Sequence, residues 1–524
     1  GLLTRRAVDR ALAHGLNLKT ASLMKAGDVF VRPEESLEDI QMVMTDSGWG
    51  QIPVVNTETG QHGSGQIIGI VTRTDLLKIL APSVPKPGRQ NLAPRLESRL
   101  PPQRLKLLHN IAAIAKERKD ALYIVGGFVR DLLLDYPSLD FDLVVEGDAI
   151  ALANAIQEKF GGRVTSHDRF RTAKWFLKGT DFQMFDFSQE EIQSLPDTLD
   201  FITARTEFYT HPTALPTVKS GSIKLDLHRR DFTINTLALR LDGHHYGELY
   251  DYWGGLNDLK HGVVRVLHSL SFVDDPTRML RGVRYEQRYD FKIADRTQEL
   301  LLEARPLIDR VSGDRIRHEF NRILDEEKVT LMMERLQNLG VLESIHQNLF
   351  WDEELSSLIN DIPDTISPPS WELSSDFEGM PLRRALMYVL WLMRLDLPLA
   401  IVKILKLGTD LTLAIESAFQ LMEELSELRE RPPSVISERL KRVPILSIYA
   451  AYLSTEDEKA KKALDTYVTK WRYVSAVTTG HDLQERGLPP GPRYAEILAT
   501  LRNAWLDGQI KSQEEEKRLL EDLI

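Results

Sequence analysis

Alternating apolar and polar positions predict a small module of mixed helix and strand at the start of the chain. The segment SLEDIQMVMTDSGWGQIPVVN (36–56) opens with the apolar spacing of a helix and closes on an apolar run typical of a strand. GLLTRR at 1–6 returns as GIVTRT at 69–74. This echo indicates paired α/β modules, the first of them cut on its N-terminal side. The proline-rich stretch APSVPKPGRQNLAPR (81–95) then predicts a linker.

Beyond that stretch the pattern mixes strands and helices and then becomes helical. Short apolar runs such as ALYIV and FDLVV predict strands, and AIALANAIQEKF (149–160) predicts a helix between them. After about residue 292 nearly every segment has helical spacing, interrupted by turn signals such as RPPS and GLPPGP. We therefore expect an α/β module (1–85), a linker (86–104), an α+β domain (from 105) and a long all-helical region.

Composition narrows the function classes only slightly. The 524 residues carry a net charge of −11, so any nucleic-acid surface has to be local. The absence of cysteine excludes disulfides, thiol catalysis and zinc–thiolate sites. No signal-peptide pattern is present, and the apolar run ALMYVLWLM is too short to cross a bilayer. We expect a soluble, cytoplasmic protein without a membrane partner, and the missing initiator Met suggests a piece of a longer chain.

Two aspartates stand one residue apart inside an apolar run, in LDFDLVV. Side chains alternate along a strand, so Asp140 and Asp142 share one face, about 7 Å apart. Two such carboxylates repel each other unless a cation lies between them, and Mg²⁺ is the cation that suits carboxylates and phosphates. The alternative is an edge strand with two solvated aspartates. Upstream, YIVGGFVRDLL predicts a strand, a Gly126–Gly127 turn and a helix, where backbone N–H groups could approach a phosphate.

These motifs and three later ones together resemble a known enzyme family. In order, they are GGFVRDLLL with LDFDLVVEG, LHRRDFTINTLAL, DYWGGLNDLKHGVVRVL and FVDDPTRMLRGVRY. Over residues 121–325 the chain resembles class II tRNA nucleotidyltransferases, the CCA- and A-adding enzymes related to bacterial poly(A) polymerases. The resemblance implies a polymerase-β-like head (105–265), a helical neck that recognises the base (266–330), and a helical body and tail that hold tRNA (331–524).

The resemblance also implies roles for individual residues. It places catalytic metal ligands at Asp140 and Asp142, with a further catalytic carboxylate at Asp200. It implies two-metal catalysis with Mg²⁺. Nucleotide-binding positions fall on Gly126, Gly127, Arg130, Asp131, Asp226, Arg230, Asp231, Asn235, Asp274, Asp275 and Arg278. The Gly254, Gly255, Asp258, Leu259 motif is expected to be structural or hinge-like.

Base choice has a physical interpretation in DDPTR. Asp275 and Arg278 are three residues apart, which predicts one helical face, although an Asp before Pro could simply cap a helix. A carboxylate only accepts hydrogen bonds and a guanidinium only donates them. Cytosine and adenine both offer an amino donor beside a bare ring nitrogen, so the pair suits C and A. Where the family usually has Glu-Asp, this chain has Asp274-Asp275.

The two flanking regions give weaker signals. Lys470, Arg472 and Arg493 are candidate tRNA contacts that could equally be solvated surface. The N-terminal module resembles a CBS domain, which implies an adenine-nucleotide cleft with Thr72 and Asp75; in the partial repeat Ala7 occupies the position that matches the aspartate. A structural or homodimerising role for this module is equally open.

The sequence predicts addition of A, or of CCA, to the tRNA 3′ end from ATP and, in the second case, CTP. In the resembled family a flexible loop is needed for the final A, and TEFYTHPTALPTVKSGS (206–222) is long and suited to that role. The run VLHSLSFVDDP (266–276) resembles the A-adding branch, which favours terminal A addition. The alternatives are a poly(A) polymerase acting on general RNA, or a non-catalytic RNA-binding protein that senses adenylates.

Overall fold

The computed structural model describes residues 3, 8, 11, 19–24, 29–47, 49, 51–56, 65–72, 89–137, 142–182, 187–188, 192, 195–208, 217–362, 369–396 and 398–524. The chain divides into two compact units, Gly1–Gly88 and Arg89–Ile524. Each unit has its own apolar core among the described residues.

The first unit has the helix and strand predicted from its pattern. Its described helices and strands are α1 (Thr20–Leu23), α2 (Leu37–Ser47), β1 (Gln51–Asn56) and β2 (Gln66–Thr72). The two strands pair antiparallel, with Gln51 opposite Thr72. The apolar side chains of α2 and β1 meet in a small core that includes Ile40, Met44 and Ile52.

Residues 89–104, predicted as part of a linker, belong instead to the second unit. They form α3 (Ala93–Arg99) and the start of α4 (Pro102–Arg118). Leu92, Leu96 and Leu100 follow one another at a four-residue spacing, which places them on one side of the helix, and all three are buried in the main core. The prolines lie at helix starts, where the missing N–H costs nothing, and so they did not mark a linker.

A seven-stranded sheet forms the head of the second unit. Its strands and those of an adjacent hairpin are β3 (Ala121–Val125), β4 (Leu143–Glu146), β5 (Gly161–His167), β6 (Thr172–Thr180), β7 (Thr198–Thr203), β8 (Arg205–Phe208), β9 (Thr217–Ser220), β10 (Leu237–Arg240) and β11 (Leu249–Asp251). The order across the sheet is β11-β10-β3-β4-β7-β6-β5, and β8 pairs with β9 separately. The α-helices between these strands are α5 (Gly127–Leu134), α6 (Ala149–Phe160) and α7 (Ile223–His228), and α8 (Gly255–Lys260) follows β11.

The two faces of the central strands have different environments. Leu143 and Val145 of β4 are buried in the main core, whereas Val144 joins a smaller core on the other face. That smaller core includes Ile223 and Leu227, so α7 covers the second face. β4 runs parallel to β7, with Leu143 opposite Phe201. Asp142 directly precedes β4 and is exposed.

Helices dominate the chain from residue 271 onward. They are α9 (Ser271–Asp274), α10 (Arg278–Arg288), α11 (Asp295–Ala304), α12 (Gly313–Leu324), α13 (Val329–Asn338), α14 (Val341–Ile345), α15 (Glu353–Asn360), α16 (Leu382–Leu392), α17 (Pro398–Leu405), α18 (Thr409–Leu428), α19 (Pro433–Leu440), α20 (Ile445–Ser454), α21 (Glu458–Thr469), α22 (Gly480–Glu485), α23 (Pro492–Leu506) and α24 (Gln513–Leu523). Two pairs of short strands accompany these helices: β12 (Val263–Val264) with β13 (Lys292–Ile293), and β14 (Asp376–Phe377) with β15 (Met380–Pro381).

One apolar core continues from the head into the helices. It extends from Leu92 to Val468, so the head, neck and most of the body pack as one body. A separate cluster around Leu483, Leu501 and Leu520 holds the last helices together. Among the described helices, none combines the length and apolar character needed to cross a membrane.

Candidate active site

A cavity of about 880 Å³ opens where the head meets the first helices that follow it. Its lining includes the start of α5, Asp142, the turn after α7, and parts of α10 and α12. Nine of its lining residues are arginines: Arg130, Arg205, Arg229, Arg230, Arg278, Arg281, Arg284, Arg288 and Arg315. The guanidinium groups outnumber the acidic groups, which are Asp131, Asp142, Asp231, Asp275, Asp314 and Glu319. This excess of fixed positive charge suits an anionic ligand with several phosphates.

The Gly-Gly turn brings an arginine close to the backbone. Gly126 has φ +69° and directly precedes α5, a conformation that favours glycine. A Cβ at Gly126 would lie 2.6 Å from Nη1 of Arg230, so a larger residue would push that side chain away. Gly127 lines the cavity itself. The turn therefore allows both predicted elements, the glycines and Arg230, to meet at one place.

Four of the predicted residues form one buried hydrogen-bonded network. Arg130 donates from Nη1 to Oδ1 of Asn235 (2.6 Å) and from Nε to Oδ1 of Asp131 (2.9 Å). Asn235 donates to Oδ1 of Asp231 (2.9 Å). Arg281 then donates from Nε and Nη2 to Oδ2 of Asp231, at 2.8 and 2.6 Å. The chain of contacts ties α5, the turn after α7 and α10 into one rigid wall of the cavity.

Two buried aspartates stay ionised because arginines face them. Burial by itself would raise the pKa of Asp231, but Arg281, Asn235 and Arg278 together outweigh it and hold the pKa well below the ordinary value. Burial likewise opposes ionisation of Asp226, and the neighbouring Arg230 and Arg229 lower its pKa. Asp226 accepts from Nη2 of Arg229 at 2.8 Å and from Nη2 of Arg230 at 3.2 Å. Asp226 therefore orients two cavity arginines and is not itself in the lining.

One of the two carboxylates expected to hold metal lies at the sheet side of the cavity. Asp142 lines the cavity, while Asp140 lies outside the described residues. Asp200 lies on β7 on the same face as Ile202, which also lines the cavity, and its Oδ2 is 3.2 Å from Nζ of Lys174. Among the described residues no three His, Asp or Glu side chains converge as a metal cluster. An exposed carboxylate beside an anion-binding cavity is nevertheless the oxygen donor that a hard divalent cation shares with a phosphate.

The prediction that Asp275 and Arg278 share one helical face is wrong. α10 begins at Arg278, and Asp275 precedes it in an extended conformation with φ −144° and ψ 97°. Pro276 explains this difference, because a residue before proline is pushed out of the helical region. Both residues nevertheless line the cavity.

Asp275 and Arg278, which we call the base-reading pair, are each held by hydrogen bonds to other residues. Oδ1 of Asp275 accepts from the amide N (3.0 Å) and Oγ1 (2.6 Å) of Thr277, and from Nη2 of Arg315 (2.7 Å). Arg278 is buried and donates from Nη1 to Oγ of Ser271 (2.6 Å) and from Nη2 to the carbonyl of Arg229 (2.9 Å). The residue at the family's Glu position, Asp274, lies 3.9 Å from Nε2 of His268. Arg278 is thus held by a hydroxyl and a carbonyl.

The second Gly-Gly motif, Gly254–Gly255, packs against the turn that carries Asn235 of the hydrogen-bonded network. Asp251 accepts from the amides of Gly255 (2.9 Å) and Leu256 (2.9 Å), which caps α8. A Cβ on Gly255 would lie 2.2 Å from the carbonyl oxygen of Thr233, so glycine allows α8 to touch the turn that carries Asn235. Thr233 donates from Oγ1 to Asp258 at 2.7 Å. The contacts agree with the structural role expected for this motif.

Several cavity residues were missed by the sequence interpretation. Arg281, Arg284 and Arg288 lie three and four residues apart on α10, and this spacing is a sequence signal for one arginine-lined helix face. Arg315, His318 and Glu319 come from α12 and also have the spacing of one helix face, but their mixed charges give no comparable signal for an anion site. Only the fold brings α12 to the cavity.

Other predicted residues are not part of the cavity lining or are outside the described residues. Thr72 ends β2, while Asp75 is outside the described part of the chain. Arg472 donates to Glu372 at 2.7 Å, and Arg493 donates to the carbonyl of Leu523 at 3.3 Å. Both of these arginines are therefore engaged within the chain, and Lys470 is exposed at the end of α21. The predicted loop begins and ends in the β8–β9 hairpin, and 209–216 lie outside the described residues.

Comparison with protein families finds three matching models along the chain. They are the poly A polymerase head domain at residues 122–265, the probable RNA and SrmB-binding site of polymerase A at 290–350, and the CBS domain at 21–82. The first two together contain most of the cavity lining.

Individual proteins show similarity over longer stretches. The A-adding tRNA nucleotidyltransferase of Geobacter sulfurreducens is 31% identical over 99% of this chain, and the chain spans 59% of that relative's length. The A-adding tRNA nucleotidyltransferase of Halalkalibacterium halodurans is 30% identical, over 81% of this chain and 94% of the relative. The structure of the Thermotoga maritima CCA-adding enzyme complexed with tRNA superposes with a TM-score of 0.64 at 30% identity, covering 83% of this chain and 98% of that one.

Proposed function

Because the chain belongs to the family of A-adding and CCA-adding tRNA nucleotidyltransferases, we propose that it adds the terminal A to the 3′ end of tRNA. The observation that carries the proposal is the arginine-lined cavity, which places Asp142 in one lining with Asp275 and Arg278. The arginines suit the binding of a triphosphate, and the polar pair Asp275 and Arg278 suits the binding of a base. The carboxylate of Asp142 suits a role at the reacting phosphate. Addition of C, C and A in turn is the alternative within the family, since the polar pair suits both bases.

The reaction is a nucleotidyl transfer. The 3′ oxygen of the RNA forms a bond to the α-phosphorus of ATP, and the bond from that phosphorus to the β-phosphate oxygen breaks. Pyrophosphate leaves with the electron pair of the broken bond, and the attacking hydroxyl loses its proton. The arginines of the cavity bind the triphosphate and neutralise the charge that develops on the leaving pyrophosphate.

We further propose that Asp140 and Asp142 hold Mg²⁺, with Asp200 as a supporting carboxylate. A divalent cation held there supplies an electrophile for the phosphate oxygens and favours ionisation of the 3′-hydroxyl. The geometry of Asp142 supports the proposal, because its carboxylate lies at the arginine-lined cavity. Lys174 lies 3.2 Å from Asp200 and reduces the negative charge on that side.

Template-free base selection follows from hydrogen-bond complementarity. With Oδ1 of Asp275 engaged by Thr277 and Arg315, Oδ2 is directed to accept from an amino group, and Arg278 donates to a ring nitrogen. Adenine has both groups, whereas uracil and guanine present a carbonyl beside an N–H. A mismatched base would leave buried polar groups unpaired, which costs about 1–3 kcal/mol for each group.

The test offers each of the four nucleoside triphosphates to the chain with two RNAs, a tRNA ending in CC and an unstructured RNA of equal length. We expect ATP incorporation of a single nucleotide, and only on the tRNA. Asp142→Ala should abolish incorporation without changing the thermal midpoint, and loss of Mn²⁺ binding measured by electron paramagnetic resonance should accompany it. Extended A tails on the unstructured RNA would instead identify a poly(A) polymerase, and near-normal turnover of Asp142→Ala would refute the metal assignment.

A further inference from the structure

Aromatic and basic side chains form a continuous surface on α7, the segment after β11 and the segment after β12. We call Lys224, His228, Tyr252, Trp253 and His268 the aromatic strip. The ring centroid of His228 lies 4.5 Å from that of Trp253 and 5.8 Å from that of His268. Nζ of Lys224 lies 5.9 Å from the ring centroid of Tyr252. Lys224 and His228 are one helical turn apart, so they share one side of α7.

Core packing does not account for this surface. Lys224 and His228 are exposed, and Tyr252 is 37% exposed. Trp253 alone packs partly against the smaller core. Partial burial, with the charge of Lys224, lowers the pKa of His228, which favours the neutral imidazole whose face can stack on another ring.

One end of the aromatic strip reaches the nucleotide cavity at its base-reading side. His268 lies 3.9 Å from Asp274, the residue directly before Asp275. Arg229 directly follows His228, and its carbonyl accepts from Arg278 at 2.9 Å. The strip is therefore continuous with the part of the cavity that would hold the base.

The other end opens into a second, polar cavity of about 510 Å³. Tyr252 and Lys224 line it together with Lys119 and Arg240. Three cationic side chains face this cavity, against the single acidic residue Glu146. A path of rings and cations thus leads from one cavity to the other along α7, which covers the same sheet face that Asp142 and Val144 share.

We propose that the aromatic strip binds the single-stranded 3′ end of the RNA and leads it to the nucleotide cavity. Rings that alternate with cations are the surface that single-stranded nucleic acids prefer, because every base has a face to stack and every linkage has a phosphate. The bases stack on His228, Trp253 and Tyr252, and Lys224 and Lys119 face the phosphates. The inference rests on the proposed function for the identity of the RNA. Beyond that function, it assigns a position to the unpaired end of the RNA.

The test compares His228→Ala and Tyr252→Ala with Leu225→Ala, whose side chain is 47% exposed on the same helix. The RNA is a tRNA ending in CC with 2-aminopurine as the residue before the CC. We expect each strip variant to raise KM for this RNA about tenfold, the effect of losing one stacked base, and to relieve the quenching of 2-aminopurine. KM for ATP and the thermal midpoint should match those of Leu225→Ala.

Equal KM for the RNA in all three variants and the unchanged chain would overturn the inference. A rise in this KM that accompanies a lowered thermal midpoint in the strip variants would overturn it too. Fluorescence anisotropy with a labelled single-stranded RNA, measured without ATP, separates this inference from the proposed function. A chain that binds the RNA through the strip but adds no nucleotide retains the inference and loses the proposed activity. A chain that adds A yet binds RNA equally well with and without the strip loses the inference alone.

Discussion

Individual side chains at the cavity are held by partners from distant parts of the sequence. Oδ1 of Asp275 accepts from Thr277, two residues away, and from Arg315, forty residues away. Arg278 donates to the carbonyl of Arg229, forty-nine residues away. The orientation of Asp275 and Arg278 is therefore a product of the fold, because each of the two side chains is held by other residues.

Arg315 should act as a positioning residue for Asp275. Arg315→Ala frees Oδ1 of Asp275 from its charged partner, so the carboxylate loses its fixed direction. Because Arg315 is partly exposed, we expect a modest effect, about a five- to tenfold loss in the preference for ATP over GTP and UTP. Arg315→Lys should restore part of the preference.

The matched control for this prediction is Arg322→Ala, an exposed arginine on the same helix. In a chain that already carries Asp275→Ala, Arg315→Ala should cause little further loss in the preference for ATP, because the two residues act as one unit. If the losses in ATP preference caused by the two substitutions instead add fully, Arg315 has only a structural role. The same holds if KM for RNA and KM for ATP change in parallel with the thermal midpoint.

For single residues, the sequence was sufficient to predict which residues belong to the site. It was not sufficient to predict which side chains contact one another. Most of the predicted residues line one cavity, whereas Gly126, Asp200, Asp226 and Asp274 do not line it and Asp140 is outside the described residues. The shared helical face of Asp275 and Arg278 was wrong because Pro276 imposes an extended conformation on its predecessor. Arg315 was missed because a contact across forty residues leaves no local spacing.

Secondary-structure elements approach one another through glycines at two points of the site. Gly126 makes room for Arg230, and Gly255 lets α8 contact the Thr233 carbonyl. Both contacts lie directly behind the network that holds Arg130 and Asn235. The strand, turn and helix order was predictable from glycine positions, whereas the element that each glycine would face was not.

Gly255→Ala should damage both the fold and the site. The added Cβ would meet the Thr233 oxygen at 2.2 Å, so α8 or the turn must move. We expect a loss of about 1–3 kcal/mol in the free energy of unfolding, the usual cost of overpacking, with a raised KM for ATP. Chemical denaturation and initial-rate kinetics measure the two effects, and Gly408→Ala, where a Cβ meets open space, is the control. Equal stability of both variants would mean that the α8 contact is loose.

The contact between Asp231 and Arg281 joins the turn after α7 to α10 and should make stability depend on pH. Because the pKa of Asp231 is lowered in the folded chain, its stabilising effect is complete above the unfolded pKa and is lost as the pH falls below about 4. Asp231→Asn should therefore cost about 3–5 kcal/mol at pH 7, and this difference should shrink on acidification. Thermal midpoints of both chains between pH 7 and pH 3 measure it, with the exposed Asp309→Asn as the control. A difference that grows at low pH would contradict the assignment.

The chain as a whole combines a CBS-like unit with a larger unit that contains the cavity. The order of modules was predictable from the change in hydrophobic period. The extent of the linker was not, because Leu92, Leu96 and Leu100 pack into the larger core despite the nearby prolines. A helix that is apolar at only a few positions between prolines resembles a linker until the surface that it covers is known.

Removal of residues 1–85 should separate the two units functionally. Since the cavity lies wholly in the larger unit, we expect nucleotide addition to keep its kcat and its KM for ATP. If the smaller unit binds an adenine nucleotide, calorimetry on the full chain should find a second site that the shortened chain lacks. A single site in the full chain, with a change from dimer to monomer on shortening, would favour a dimerising role.

The product formed on two tRNAs tests the proposed activity. One tRNA ends at the discriminator base and the other already carries CC, and each receives ATP and CTP together. We predict one A on the CC-ended tRNA and no efficient addition to the other, because the chain is proposed to add only the terminal A. Efficient use of CTP on the discriminator-ended tRNA would identify a CCA-adding enzyme. No addition of A to the CC-ended tRNA would contradict the proposed function itself.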